Sequence, residues 1–515
     1  LSGHEPVRQL RRREFLRVTA LGMGGTVLAG LLAACGGGAA AAPTVAAVAT
    51  TAPTAATSGA ATAATAATVA RPATTATSSA AVATGGGTAT RAATATAGAA
   101  GTPRASATAT RVGVVTPGAL GTPIATGTVT FSVSGDTAEK EAYGKIVAAF
   151  NGRQSRVAVN LAHTPSASDY VKRLTADLAA GTPPDIVLMN YRRFGAFFAR
   201  GAFEPIAPYL AASSALQQSA FYPEVVSAFS RGGQLIGIPQ NASSLVIYYN
   251  KNLFQQAGVA LPKDDWNWEG FLAAAQGLTK GTAQYGIGIS TEMIRLAPFI
   301  WQNGGDIVDN LANPTKLTLD RAESVEAMQW FVDLQTRHKV APDAVQLAAE
   351  DDESRFLNGR SAMLFESRRI VPTLRTITAF DWDVAPLPSR KTRASILHSD
   401  AYLLTAVSKN KAAAFSFMEY ANSAEGQTFI AQTGRTVPSI KAIAVTPIFL
   451  DPAVKPANNR VFLNAIPIIR STINTDRTEE IEGIVNNELK RAFYGQATVA
   501  EAISTAQNRT AGLFK

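Results

Sequence analysis

The chain has 515 residues and a formal charge of +9, enough length for two or three domains of roughly 100 to 200 residues each. Nine arginines before residue 128, set against Glu5 and Glu14, account for +7 of that charge, so the rest carries only +2 and has no basic excess with which to hold a nucleic-acid backbone. A single cysteine, Cys35, excludes a disulfide, a CxxC redox pair and a cysteine zinc site within the chain.

The first segment, 1–34, reads as a targeting signal. Arg11-Arg12-Arg13-Glu14-Phe15-Leu16-Arg17 precedes the apolar run 18–34, and its paired arginines resemble a twin-arginine export signal. The run ends in Leu32-Ala33-Ala34-Cys35, which resembles a lipobox, in which Cys35 is acylated and the chain is cut before it. A short transmembrane helix is the alternative. Gly22, Gly24, Gly25 and Gly30, with the sole cysteine at the cleavage position, favour the lipoprotein. Behind Cys35, residues 36–127 are almost entirely Ala, Thr, Gly, Pro, Ser and Val without periodicity. They cannot bury a core, so 35–127 is expected to be a disordered stalk with an end-to-end distance on the order of 50 Å.

From residue 128 the periodicity becomes that of a folded protein. Val129, Phe131 and Val133 alternate with polar residues as a strand, Gly135-Asp136-Thr137 turns the chain, and Tyr143, Ile146, Val147 and Phe150 recur at helical spacing. A strand over 156–161, a helix through Tyr170, Leu174 and Leu178, and a strand over 186–189 complete a βαβ pattern. A parallel sheet binds ligands beyond the carboxyl ends of its strands, which here means residues 135–137 and 190–192. Next, 235–238 and 245–249 read as strands around a polar bend, 240–244, and Asn250 caps a helix that Gly258 ends. Further on, 285–290 and 362–365 read as strands, Asp320 with Glu323 as a capping box, and Gly359 as a helix stop. A long strand over 396–407, helices over 411–421 and 423–433, and a capping box at Thr498 and Glu501 follow.

Catalytic signatures are missing. There is no GxxxxGK[ST], HExxH or GxSxG, and past the signal only His163, His338 and His398 occur. Asp351-Asp352-Glu353 reads as a helix first turn rather than a glycosidase pair, and Tyr248 and Tyr249, adjacent on a strand, point apart and cannot share a metal. No enzyme, cofactor or metal is expected.

Several stretches occur together in one order: Ala179 to Val187 (AAGTPPDIV), Gly237-Ile238-Pro239, Tyr248 to Phe254 (YYNKNLF) with Gly258, Trp268-Glu269-Gly270-Phe271, Phe356 to Met363 (FLNGRSAM), 407–411 (VSKNK), 424–427 (AEGQ) and Val437-Pro438. Together they resemble the family 1 extracellular solute-binding proteins, the maltose-binding-protein-like receptors of ABC importers, over about 128 to 515. The resemblance implies an α/β type II periplasmic-binding-protein fold with two discontinuous lobes joined by a hinge, 128–240 plus 397–440 and 241–396 plus 441–515. It implies a receptor, expected to be a monomer lipid-anchored at the extracellular face of the cell membrane, that captures a carbohydrate and passes it to ABC permease subunits. An acidic sugar, sugar phosphate or peptide ligand, and a surface sensor or adhesin on the same fold, remain the alternatives.

Candidate ligand residues follow from the strand ends and the crossover: Asp136, Thr137, Asn190, Tyr191, Arg192, Gln240 and Asn241. A sugar needs planar hydrogen-bonding groups and an aromatic face. The aromatic candidates are Tyr191, Trp301 and Trp382, of which Trp382 reads as core. Where the family often carries a glycine and an aromatic, this chain has Glu366, Arg368 and Arg369, and on the returning strand it has His398 and Asp400. Asp400 with Arg368 is the expected polar pair for ligand hydroxyls, because a joined Asp and Arg bind them by charge-assisted hydrogen bonds.

Overall fold

The computed structural model describes residues 126–514; the signal, Cys35 and the stalk up to residue 125 lie outside the described residues. Strand β1 (Gly127–Ser134) buries Val129, Phe131 and Val133 completely and runs parallel to β2 (Val157–Thr164) and β3 (Ile186–Asn190). Between β1 and β2 lies the helix Thr137–Arg153, whose buried Tyr143, Ile146, Val147 and Phe150 form one stripe; Tyr143 meets Phe131 edge-on at 5.7 Å. A two-residue hairpin pairs β4 (Ser230–Arg231) with β5 (Gln234–Leu235), and the chain then enters β6 (Gly237–Pro239).

Beyond β6 the chain leaves this sheet. β7 (Ser243–Asn250) is buried along its whole length and sits in a second sheet with β8 (Tyr285–Gly288), β9 (Ser361–Ser367), β10 (Trp382–Ala385) and β11 (Ser395–His398). Leu245, Ile247 and Tyr249 face a core containing Trp268, Phe299 and Phe331, whereas Val246 and Tyr248 face another with Leu364, Trp382 and Phe462. A strand covered on both faces must be apolar at nearly every position, which explains its β-branched and aromatic run. The helix Lys251–Ala257 follows as expected, with Asn250 capping it and Gly258 at φ 67° ending it; that left-handed position favours glycine.

From β11 the chain returns to the first sheet as β12 (Asp400–Leu404), giving the order β2-β1-β3-β12-β6, and β13 (Ile469–Arg470) later adds to β11 in the second. Two expectations change here. The long strand expected over 396–407 is broken at Ser399, whose Oγ donates to Asn241 O at 2.6 Å and whose carbonyl accepts the Tyr191 amide at 3.1 Å. Its polar groups serve the crossover, not a continuous ladder. Nor does Asp320 cap a helix: Ala322–Thr336 starts after Arg321 with no side-chain cap, whereas the Thr498–Glu501 capping box forms.

The chain passes between the sheets at 240–242 and at Ser399; further on, Val437 joins the second lobe's inner core, Ile466 and Ile469 pack in the first lobe's core, and Ile473 in the second's. Each lobe is assembled from separated stretches of chain. This is the two-lobed, discontinuous α/β architecture of type II binding proteins.

Candidate functional site

The carboxyl ends of β1, β2 and β3, the start of β12 and the end of β6 all point one way, as the parallel and antiparallel registers require. In the second lobe the carboxyl ends of β9 and its parallel neighbour β8 lie at the same end as the start of β7, where β7 leaves the crossover. The two sets of strand ends flank residues 240–243, so the sequence positions expected at the carboxyl ends of strands come together between the lobes.

The crossover itself is polar and buried. Gln240 N donates to Asp400 O at 2.8 Å; Asn241 Nδ2 donates to Gln240 Oε1 at 2.7 Å and to Asp400 Oδ2 at 3.2 Å. Gln427 and Ser439 hold the same segment from behind, Gln427 Nε2 donating to Gln240 O and Ser439 Oγ to Pro239 O. What remains is unusual for an interior: Gln240 Nε2, Asn241 Oδ1, Ser243 Oγ, Ser244 Oγ and His398 Nε2 are buried with no protein partner. A buried polar group without a partner costs about 1 to 3 kcal/mol, so five at one crossover mark a place where other groups are to be received. Ser243 and His398 sit opposite each other in the β7–β11 register. Burial, reinforced by Arg295 and Arg192, pushes the His398 pKa down to about 3, so the ring is a neutral hydrogen-bonding group.

The wall of the first lobe is made by the helix Thr137–Arg153. Asp136 caps it through Glu139 N at 3.0 Å, and Glu139 Oε2 accepts Asp136 N at 3.3 Å. Arg435 reaches both carboxylates, Nη1 to Asp136 at 2.7 Å and Nε to Glu139 at 2.8 Å. Burial pushes the Glu139 pKa up to about 7 against the pull of Arg435, with Asp400 and Asp136 adding to the rise. Thr137 is the exposed first residue of this helix. Asn190 caps the helix Tyr191–Phe198 by accepting Arg192 N at 3.2 Å. Burial raises the Asp400 pKa, opposed by hydrogen bonds from Asn241 and Asn190.

Across from it, in the second lobe, Arg295 Nη2 donates to Glu366 Oε2 at 2.5 Å and Arg369 Nη2 to the same oxygen at 2.9 Å; Arg369 also pairs with Glu353. Burial would raise the Glu366 pKa, but the two guanidiniums outweigh it and hold it near 2.

Ten of the thirteen ligand candidates thus gather at the crossover and its two walls. Three go elsewhere. Arg368 does not join Asp400: its Nη1 donates to Asn459 Oδ1 at 2.6 Å and its Nε to Thr436 O at 3.2 Å, and its guanidinium lies 4.4 Å from the Phe449 ring centre and 4.9 Å from that of Phe462. Trp301 is 2% exposed, donates Nε1 to Asp306 at 3.1 Å and has the Arg470 guanidinium over its ring at 4.8 Å, so it offers no bare face. Tyr191 is fully buried, its hydroxyl 3.3 Å from Thr472 Oγ1. Arg192 stays at the wall but spends its charge on Glu482 at 3.1 Å. The structure adds Glu139, Ser243, Arg295 and Arg435, of which only Glu139 was legible, as the fourth residue of a D-x-x-E cap.

A match to the bacterial extracellular solute-binding protein family covers residues 145–456. A binding protein of Brucella abortus is 24% identical over 358 residues, which span 67% of this chain and 83% of that one. The sn-glycerol-3-phosphate-binding periplasmic protein of Escherichia coli is 23% identical over 363 residues, 66% of this chain and 82% of that one. An ABC substrate-binding protein of Listeria monocytogenes, solved in complex with cycloalternan, shares the fold with a TM-score of 0.69 at 24% identity, over 75% of this chain and 98% of that one. With the family match spanning more than half its length, the chain belongs to the bacterial extracellular solute-binding proteins.

Proposed function

We propose that this protein is the substrate-binding receptor of an ABC importer, that it captures a carbohydrate between its lobes, and that it hands the ligand to membrane permease subunits. The observation that carries the ligand class is the set of uncharged, buried and unpartnered groups at the crossover: Gln240 Nε2, Asn241 Oδ1, Ser243 Oγ and His398 Nε2. They include donors and acceptors in close sequence and register, the mixture that vicinal hydroxyls satisfy. The cleft arginines support the same reading, since Arg192, Arg295, Arg369 and Arg435 each have a carboxylate partner.

In this proposal the lobes are 128–240 with 397–440 and 241–396 with 441–515, and they close by bending at 240–244 and 398–401. The ligand touches Asp136, Asn190, Gln240, Asn241, His398 and Asp400, with Arg295, Glu366 and Arg369 opposite. Cys35 is acylated and tethers a monomer to the outer face of the membrane through the stalk. A thermal-shift screen over neutral mono- and oligosaccharides, uronates, sn-glycerol 3-phosphate and peptides tests the ligand class. A bound sugar at about 100 times its Kd should add roughly 2.7 kcal/mol of stability; a shift with peptides alone would end the carbohydrate reading. Cys35→Ala should release the protein from membranes, and retention of that variant would rule out the anchor.

A further inference from the structure

The amino end of a 17-residue helix, standing at the carboxyl end of β1 beside an arginine, has the ingredients of an anion site. In this chain the place is taken. Asp136 accepts the Glu139 amide and Glu139 accepts the Asp136 amide in a reciprocal cap, and Arg435 gives Nη1 to Asp136 at 2.7 Å and Nε to Glu139 at 2.8 Å. The neighbouring glycine shows that the arrangement is built in. Gly135, at φ 141°, lies so close under Glu139 that a β-carbon there would come within 1.7 Å of Glu139 Oε2, so the folded-back carboxylate needs glycine at this position. Independently, Asn241, 5% exposed, gives its amide nitrogen to Asp400 and leaves Oδ1 buried and unpartnered. Beside the Arg192–Glu482 pair, the first-lobe wall therefore presents three carboxylates and a free amide oxygen against the Arg435 guanidinium.

We infer that Asp136 and Glu139 are specificity-determining residues: they act as a resident anion that engages Arg435 and the Glu139 amide, so that the cleft refuses ligands bearing a phosphate or carboxylate and accepts hydroxyl donors. This rests on the carbohydrate reading above and names the residues that exclude its charged relatives. An incoming anion meets the Asp136 carboxylate and, as pH rises through 7, the Glu139 carboxylate where it would need donors, whereas a sugar hydroxyl donates to them.

The double variant Asp136→Asn with Glu139→Gln tests it, since Asn remains a good helix cap and Gln still completes a capping box while both charges disappear. Calorimetry on the full mature chain with sn-glycerol 3-phosphate and with inorganic phosphate should show affinity rising at least about tenfold over the parent, and Arg435→Gln in the variant background should abolish the gain. If the double variant does not fold, Glu139→Gln alone carries the same test. No gain in a folded variant, while the parent binds a neutral sugar, overturns the inference and leaves the carbohydrate reading standing. Tight binding of sn-glycerol 3-phosphate by the parent overturns the inference directly, and if no neutral sugar binds, the carbohydrate reading falls with it.

Discussion

Gly195 of the first lobe donates its amide to Asn474 Oδ1 at 2.8 Å, and a β-carbon at position 195 would come within 2.2 Å of that oxygen and 2.8 Å of the Asn474 carbonyl oxygen. Asn474 leads into the second-lobe helix Thr478–Phe493, whose Glu482 and Glu479 pair with Arg192 and Arg193, both at 3.1 Å. Arg231 adds a hydrogen bond to Asn474 O at 3.2 Å. One face of the helix Tyr191–Phe198 is therefore fastened to the other lobe.

Gly195→Ala should force that helix away from residue 474, because the obstructing atoms include backbone that cannot turn aside. The expected cost is about 1 to 3 kcal/mol in urea unfolding, with a larger radius of gyration by solution scattering. A variant with the parent's stability and scattering profile would show that the contact yields without consequence.

Glu366 should shape the acid limb of the stability curve. Its folded pKa, near 2, lies below the ordinary value of 4.5, so its contribution is complete above pH 4.5 and is lost as pH falls towards 2. A shift of that size corresponds to on the order of 3 kcal/mol. Glu366→Gln should flatten this part of the curve and, at neutral pH, cost about 3 to 5 kcal/mol by leaving Arg295 buried without its counter-charge. An acid limb identical to the parent's would contradict the assignment.

Glu139 carries the opposite sign. Its folded pKa, about 7, lies above the ordinary 4.5, so the stability linked to it is full below pH 4.5 and declines as pH rises through 7. Urea midpoints across that window should fall in the parent relative to Glu139→Gln, which keeps the opposite, rising contribution of the buried His398. Carbon-detected titration of the Glu139 carboxyl offers a direct reading; a midpoint near 4.5 would refute it.

Arg368 is expected to matter for stability and not for ligand. Burial pushes its guanidinium pKa down to about 9, and it sits between Phe449 and Phe462 with Thr436 O and Asn459 Oδ1 as partners. Arg368→Ala should cost about 3 kcal/mol through lost packing and unpaired acceptors while leaving the Kd for the best sugar unchanged. Weaker binding at unchanged stability would return Arg368 to the cleft.

The sequence made the scaffold readable where one element decides its own form. Asn250 and Gly258 bound a helix by local chemistry, and Val129, Phe131 and Val133 show their sheet by alternation. The strand-end rule likewise placed Asp136, Asn190 and Arg192 at the carboxyl ends of β1 and β3, where they stand, without any knowledge of the second lobe. Arg295 escaped because it stands in the apolar helix Met293–Gln302, all of whose residues are buried, and its purpose appears only when Glu366 arrives from β9. Arg368 and Arg369 are adjacent and chemically alike; one is sealed inside and the other is exposed at the cleft, a choice made by Phe449, Phe462 and Asn459 from far along the chain. Trp301 was misjudged for the same reason, since its ring is covered by Arg470.

The place of β12 between β3 and β6 has a consequence for how the protein comes into being. Both neighbours precede it in the chain, yet each bonds to it and not to the other. While synthesis has not passed residue 404, β3 and β6 keep unpaired edges open to any passing strand. Closing that gap requires contacts of very long sequence separation, which form slowly. Polypeptides ended before β12 should therefore accumulate as aggregates rather than as a folded first lobe, and completion of the sheet must wait until most of the chain has been made.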